Sequence, residues 1–534
     1  MAAPGIRRSI ADVQKDYDNG NKSPLETVMR AWKGIKELPP TDLNSFFIIG
    51  GYHGEPFRGK GETDPNWWGG YCQHGTVLFP SWHRAYLARL EKALQSIPGC
   101  ADFMLPFWDE CSADSQASGI PRALTDETFV LDGQTIPNPL RSFVLPTAIV
   151  DQVQGDPVVY SKPQGYETVR YPLSGLVGTP QDQAATQAHN ANYPSYAQTV
   201  SILDNNITNW LNGQVVIDGS PWGEILGNFV QCLDAPNYTL FSNTTSATAW
   251  NDANGTNITP LESPHNYMHL AVGGFDYPGQ GDVSAIPGAN GDMGENDTAG
   301  LDPIFFFHHC FIDYVFWIWQ QRTGATDALT IDANDPGANS NANPPPAGIN
   351  PNTPLTLQTS LEPFRKADGS YVTTADCINI STQLGYSYGP GSLDQYAKPA
   401  LEALTASAKA AEPGQTIRVS AINRAGINGS FLIAAFANVN GKRKYIGTKA
   451  VLSRWHVEGC MNCQNHLEAK ASFRLPAETG RALASATTAA TNVEVEVRTR
   501  KGLFGGAPQR VARAAAALEA KPAGPPAAFN VEIR

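Results

Sequence analysis

The run Leu301-Asp302-Pro303-Ile304-Phe305-Phe306-Phe307-His308-His309-Cys310-Phe311-Ile312-Asp313-Tyr314-Val315-Phe316-Trp317-Ile318-Trp319 is apolar on nearly every side. Pro303 suits a first helical turn, and Asp302 just before it suits a cap. A helix apolar all round belongs deep inside a protein. Two histidines and an aspartate sit in its middle. An unpaired buried polar group costs about 1–3 kcal/mol, so such imidazoles need partners, and a metal ion is one. His309 and Asp313 are four residues apart and share a helix face. From there a carboxylate can orient a metal-bound imidazole. Taken alone, the run also fits a pair of ordinary core histidines or a membrane span. It falls short of the roughly 20 apolar residues a span takes, and its polar residues interrupt it.

Outward from this run, the chain has 534 residues, enough for a large core and more than one domain. Its formal net charge of -12 argues against nucleic acid or an anionic membrane as the main partner. The first residues, Met1 to Arg8, lack the apolar run of a signal peptide, so a cytoplasmic location is expected. The eight cysteines are scattered, with a single C-x-x-C, which is no disulfide framework for a chain this long.

Ser23-Pro24-Leu25-Glu26 reads as a capping box that opens a helix. A second helix is expected from Thr41-Asp42 to His53, and a third from Pro80-Ser81, with Trp82, Tyr86, Leu90, Ala93 and Ile97 on one side. Residues 110–260 read as mostly irregular, with one helix near Tyr196–Leu211. Leu261 to His269 opens another helix, and a glycine-rich loop leads from Gly273 back to Gly300. After Tyr386-Ser387-Tyr388 the period changes. Arg418–Asn423, Ser430–Val439, Arg443–Gly447, Val493–Arg498 and Phe529–Ile533 read as strands, with Asn440-Gly441 as a hairpin turn. The expected architecture is a mainly α domain over 1–395, built on an antiparallel four-helix bundle with long loops. A linker follows over 396–414, then an antiparallel β domain over 415–534.

Six of the ten histidines fall into two groups of three. His265 and His269 project from one helical face and His309 joins them from another helix. His53, His74 and His83 come from two helices and the loop between them. Imidazole suits Zn, Cu, Fe and Ni, whereas di-iron bundles use a carboxylate-rich shell with Glu-x-x-His motifs. Two all-histidine trios on a helical bundle favour a pair of copper ions.

The motifs His53-Gly54-Glu55-Pro56-Phe57, Cys72-Gln73-His74, Phe79-Pro80-Ser81-Trp82-His83-Arg84, Leu105-Pro106-Phe107-Trp108-Asp109, Glu262-Ser263-Pro264-His265-Asn266 and Asp302-Pro303…His308-His309…Asp313 resemble those of type 3 copper proteins. Within them, the match is to fungal-type tyrosinase precursors that carry a C-terminal shielding domain. The resemblance implies O2-dependent ortho-hydroxylation of monophenols, and oxidation of o-diphenols to o-quinones, at a coupled pair of copper ions. It implies phenols and catechols such as tyrosine and DOPA as partners, with no nucleic acid and no membrane, and leaves a homo-oligomer open. Carried over by position, His53, His74 and His83 bind one copper, and His265, His269 and His309 the other. His308 is not a ligand. Cys72 forms a thioether to His74. Glu262 and Asn266 hold a water that takes the phenol proton, Phe305 lies near the substrate ring, and Asp313 supports the last ligand. The alternatives are a catechol oxidase without the hydroxylase step, a hemocyanin-like oxygen carrier, and a zinc hydrolase.

In the C-terminal part, Cys460-Met461-Asn462-Cys463 offers soft thiolates that suit Cu(I). The resemblance makes this pair a copper-loading site, with a redox disulfide or a zinc site completed by His456 and His466 as alternatives. It also implies that an apolar residue at Val451 or Leu452 plugs the catalytic site.

Overall fold

The computed structural model describes residues 4–54, 70–151, 160–217, 220–222, 225–275, 286, 288–340, 353–398, 415–439, 441–457, 466–485, 491–512 and 528–534. The elements that place the site are, in chain order, β1 (Gly5–Arg7), α1 (Ser23–Glu37), α2 (Phe46–Gly54), α3 (Phe79–Gln95), α4 (Glu262–Gly273), α5 (Ile304–Thr323) and β2 (Tyr386–Tyr388).

α5 is the axis. Every residue from Ile304 to Phe316 is buried. Phe305, Phe306, Phe307 and Phe311 have no exposed surface, each contributing about 1.5–3 kcal/mol of apolar burial. Trp32 of α1 stacks on Phe307 at 5.6 Å and meets Phe46 of α2 edge-on at 5.4 Å. Three helices thus close on one aromatic centre. Pro303 itself takes the cap position of α5, and Asp302 Oδ1 accepts from Ile304 N at 3.1 Å. The capping box expected at Ser23 is not made. Ser23 is already helical and Lys22 stands at the cap without a side-chain bond, because Pro24 alone suits the first turn. No helix among the described residues is long and apolar enough to cross a membrane.

The stretch 110–260 is more helical than its composition suggests. The helix Tyr196–Leu211 forms as expected. Helices at Pro180–Asn190, Tyr238–Ser242 and Thr244–Asn254 accompany it, opened by the side chains of Thr179, Asn237 and Asn243. Caps rather than apolar periodicity define these elements.

The longer C-terminal strands are β3 (Thr416–Asn423), β4 (Phe431–Val439), β5 (Lys442–Val451), β6 (Glu468–Arg474), β7 (Asn492–Thr499) and β8 (Asn530–Ile533), and two short strands, Gly502–Leu503 and Gln509–Val511, pair with β7. Sheet order is β6-β3-β8 in one layer and β5-β4-β7 in the other, all antiparallel. β6 went unread in the sequence. Period-2 alternation gives β4 two apolar faces. Phe431, Ile433 and Ala435 join the core between the two layers. Leu432, Ala434 and Phe436, with Ala450 of β5, join the core of the helical part. β7 is not half-exposed as its alternation implied. All eight residues are buried, because Arg443 and Arg498 cover the glutamate face at Glu494 and Glu496.

Candidate metal centre

The six histidines converge. On one side, His265, His269 and His309 bring their Nε2 atoms to 3.1, 3.2 and 3.4 Å of one another. Three nitrogens about 2 Å from one ion stand about 3.3–3.5 Å apart, so the trio has the spacing of a metal's ligands. α4 supplies the i,i+4 pair and α5 the third ring. The far nitrogens are pinned: His265 Nδ1 donates to Asn266 Oδ1 at 2.9 Å, and His269 Nδ1 to Met293 O at 2.8 Å. Such bonds fix the tautomer that leaves Nε2 free to coordinate.

On the other side, His53 at the end of α2 donates Nδ1 to Asn296 O at 3.3 Å, and His83 in α3 donates Nδ1 to Phe79 O at 2.8 Å. The Nε2 atoms of His53, His74 and His83 are buried and have no hydrogen-bond partner among the described residues. Orphaned imidazole nitrogens of this kind fit a bound ion. Donor atoms of His53, Cys72 and His74 lie within 4.8 Å of one another. The trios face each other: His83 stacks on His309 at 4.4 Å between ring centres, and His74 lies 5.5 Å from His265. Burial first, then repulsion among neighbouring imidazoles, pushes His53, His74, His265, His269 and His309 well below the ordinary histidine range. His83 is pushed down to about 3, with burial as the main cause and its bond to Phe79 O opposing. All are therefore neutral imidazoles, the metal-binding form, at pH 7.

His308 is part of the same cluster. Its donor lies with those of His265, His269 and His309 within 4.8 Å. Its Nδ1 is held by Glu110, and both side chains are fully buried. Glu110 is a contact that sequence reasoning missed, since nothing local marks a glutamate nearly two hundred residues upstream.

Asp313 does not meet His309. Its carboxylate takes Arg84 Nε at 2.5 Å, Arg7 at 3.3 Å, and the hydroxyls of Tyr386 and Tyr388. His309 Nδ1 has no partner among the described residues. The orienting contact expected from their spacing is lost because two guanidiniums claim the carboxylate. Phe305 holds the site from behind: it stacks on His309 at 4.0 Å and meets His53 edge-on at 4.7 Å.

Glu262 ties the two trios together. One oxygen accepts from Gly75 N at 2.8 Å, just beyond His74, and the other from Thr244 N and Oγ1 at 2.8 and 2.9 Å. Asn266 sends its amide the other way, donating to Ala450 O of β5 at 3.2 Å. Cys72 is a buried thiol, raised to about 11 by burial, with Asn296 Nδ2 at 3.7 Å from its sulfur. Val451 and Leu452 line a cavity that also reaches His74, Glu262 and Asn266. Cys460 and Cys463 lie outside the described residues.

The loop 291–300 works on both faces. Inward, its carbonyls hold His53 and His269. Outward, Asp297 pairs with Arg454 at 3.4 Å and accepts from Trp455 N at 2.9 Å, and Glu295 pairs with Arg500.

Paired histidine trios on a helical core define a protein built to hold two metal ions through imidazole, a donor that suits copper. Residues 43–322 match the family model "Common central domain of tyrosinase". A tyrosinase from Hahella sp. is 51% identical over 494 residues, 88% of each chain. A tyrosinase from Aspergillus oryzae is 44% identical over 497 residues, 87% of each. The solved structure of a tyrosinase from Burkholderia thailandensis superposes with a TM-score of 0.78 at 47% identity, over 95% of this chain and all of that one. The chain belongs to the tyrosinase family.

Proposed function

We propose that this chain is a tyrosinase acting on monophenols and o-diphenols, with His53, His74 and His83 holding one copper ion and His265, His269 and His309 the other. The observation that carries this is the Nε2 triangle of 3.1–3.4 Å facing a second trio of orphaned nitrogens. Two copper ions bound there supply dioxygen binding and the electron transfer that makes a catechol from a phenol and an o-quinone from a catechol.

The chain's own residues do the rest. Phe305 and the carbonyls of Phe79, Met293 and Asn296 hold the rings in place. Asn266 and Glu262 stand at the cavity wall beside His265 and His74. In our reading they hold the water that takes the phenol proton, a group with an ordinary pKa near 10. Ala450 O occupies the Asn266 amide in the covered state, and withdrawal of β5 releases it to that water. Cys72 forms a thioether with His74: the thiol S–H and a ring C–H are lost as the S–C bond forms, dioxygen takes the two electrons and two protons to become hydrogen peroxide, and the bond locks that ring. Residues 1–395 form the catalytic unit and 415–534 the cover, with Val451 and Leu452 over the site. Cys460 and Cys463 deliver copper.

The test is metal analysis of copper-loaded protein together with oxygen uptake on tyrosine and DOPA. Two copper ions per chain with uptake on both substrates are expected. Uptake on DOPA alone would make the protein a catechol oxidase. Oxygen binding without turnover, even after residues 415–534 are removed, would make it a carrier. Zinc in place of copper would overturn the reading.

A further inference from the structure

The loop 291–300 is clamped at two points, one on each part of the chain. Near its start, Asp292 is tied to the helical part. Tyr166 Oη donates to it at 2.7 Å and Val169 N at 2.8 Å, with buried Lys162 at 3.4 Å. Gly273 of α4 packs so closely here that a Cβ on it would come within 1.9 Å of Gly294 N. Met293, whose carbonyl holds His269, lies inside this first clamp. Further along, Asp297 is tied to the β unit. Arg454 pairs with it at 3.4 Å, and Trp455 N donates to it at 2.9 Å. Neither side chain of the Asp297–Arg454 pair has any exposed surface. Trp455 also packs its ring on Tyr160 at 5.4 Å, and the Tyr160 hydroxyl meets Thr298 Oγ1 at 2.9 Å.

Asn296 sits beside this second clamp. Its carbonyl accepts from His53 Nδ1 at 3.3 Å, and its side-chain amide lies 3.7 Å from Cys72 Sγ. One loop therefore serves both trios, but each trio answers to a different anchor. His269 depends on the anchor in the helical part, and His53 on the anchor in the β unit. A buried ion pair that loses one partner leaves a charge without compensation, at a cost large enough to move a loop. Without Arg454, the backbone at 296–297 is what must shift, and His53 Nδ1 loses its acceptor. An outer hydrogen bond of this kind fixes the ring and tautomer of a metal ligand, and its loss usually costs about 10–100-fold in metal affinity.

We infer that Arg454, from the β unit, is a positioning residue for the ion held by His53, His74 and His83, so that this ion, and not its neighbour, is bound more tightly while the β unit is docked. This rests on the two-ion reading above. Linkage makes the effect reciprocal: metal in that trio holds the β unit in place more firmly by the same factor. The covered chain is then the form that takes up and keeps metal, and withdrawal of β5 opens the site while loosening one ion.

The test is equilibrium dialysis of the metal-free, full-length chain against copper(II), with Cys460 and Cys463 replaced by serine so that the histidines alone take the metal. Two sites are expected in this parent. Arg454→Met should weaken one of them about tenfold and leave the other unchanged, and Arg454→Lys should recover most of the loss. Arg418→Gln, which loses a pair with Asp252 elsewhere on the same interface, should change neither. In a His53→Ala background, Arg454→Met should have no further effect on the remaining site. Unchanged affinities in Arg454→Met, equal weakening of both sites, an effect that persists without His53, or equal weakening by Arg418→Gln would each overturn the inference. Should Arg454→Met fail to fold by circular dichroism, Asp297→Asn, which keeps the acceptor for Trp455 N, carries the same expectations and the same refutations. Fewer than two sites in the parent would sink the two-ion reading, while two sites indifferent to Arg454 would sink only this one.

Discussion

Asp313 shows how strongly one side chain can be claimed by its surroundings. Burial alone would raise its pKa, but Arg84 and Arg7, then the hydroxyls of Tyr386 and Tyr388, outweigh burial and hold the carboxyl below its usual range. A carboxyl whose folded pKa lies below its unfolded value stabilises the fold above the unfolded value of about 4. That contribution disappears as the pH drops through the folded value. Asp313→Asn should therefore cost about 3 kcal/mol at pH 7 in chemical denaturation, since it strands buried guanidinium charge. The deficit should narrow below pH 4, and a pH-independent deficit would contradict this account. Asn266 makes a different prediction. Asn266→Leu should depress monophenol turnover at least about tenfold more than catechol turnover, as expected for loss of a group that positions a proton acceptor. Equal losses on tyrosine and DOPA would remove Asn266 from the proton path.

At the scale of elements, α2 depends on close approach. A Cβ added at Gly54 would sit 1.8 Å from Asn296 O, and one at Gly50 would sit 2.6 Å from Gly300 O. The loop those carbonyls belong to is the one that holds His53 Nδ1. Gly54→Ala should push it off and weaken metal binding about 10–100-fold, the usual effect of losing a ligand's outer hydrogen bond. Equilibrium dialysis against copper measures this, and unchanged affinity would show that the loop can yield. These elements were legible in the sequence to different degrees. α5 and α3 announced themselves, since an all-apolar run around His308-His309 and an apolar stripe from Trp82 to Ile97 leave little choice of structure. The six histidines could be grouped from their spacing and their helices, and the resemblance of their motifs to a known pattern then assigned each trio to one ion. The contacts that set the rings could not be read. Asn296, Met293 and Phe79 act through backbone carbonyls, which no side-chain pattern reports, and Glu110 meets His308 only through the fold. Asp313 was misjudged because helical spacing shows which residues share a face, not which neighbour binds hardest. β6 was missed because Glu468-Ala469-Lys470-Ala471 has the composition of a helix and takes its strand form from pairing with β3.

Across the whole molecule, the cationic side of the β unit meets acidic positions of the helical part. Arg454 pairs with Asp297 and Arg500 with Glu295, while Arg418 and Arg534 both reach Asp252 at 3.2 Å. Removal of residues 415–534 should raise phenol turnover of copper-loaded protein, because Asn266 loses Ala450 and the cavity opens. Unchanged turnover would mean that the unit does not obstruct the site. Chelation of the metal should lower the apparent Tm of the intact chain by about 5 °C or more, since a ligand that binds only the folded state contributes stability that grows with the logarithm of its free concentration relative to its Kd. One core lies between the β layers and the other reaches across to the helices, so the shared apolar contact couples the two parts.

β1 and β2 lie side by side in parallel, with Gly5 opposite Tyr386 and Arg7 opposite Tyr388. Both strands deliver groups to Asp313, on the helix that carries His309. During synthesis, Arg7 must therefore wait for some 380 residues to be made before its tyrosine neighbours exist. The last histidine helix gains its full support only then, shortly before β3 of the β unit begins to leave the ribosome.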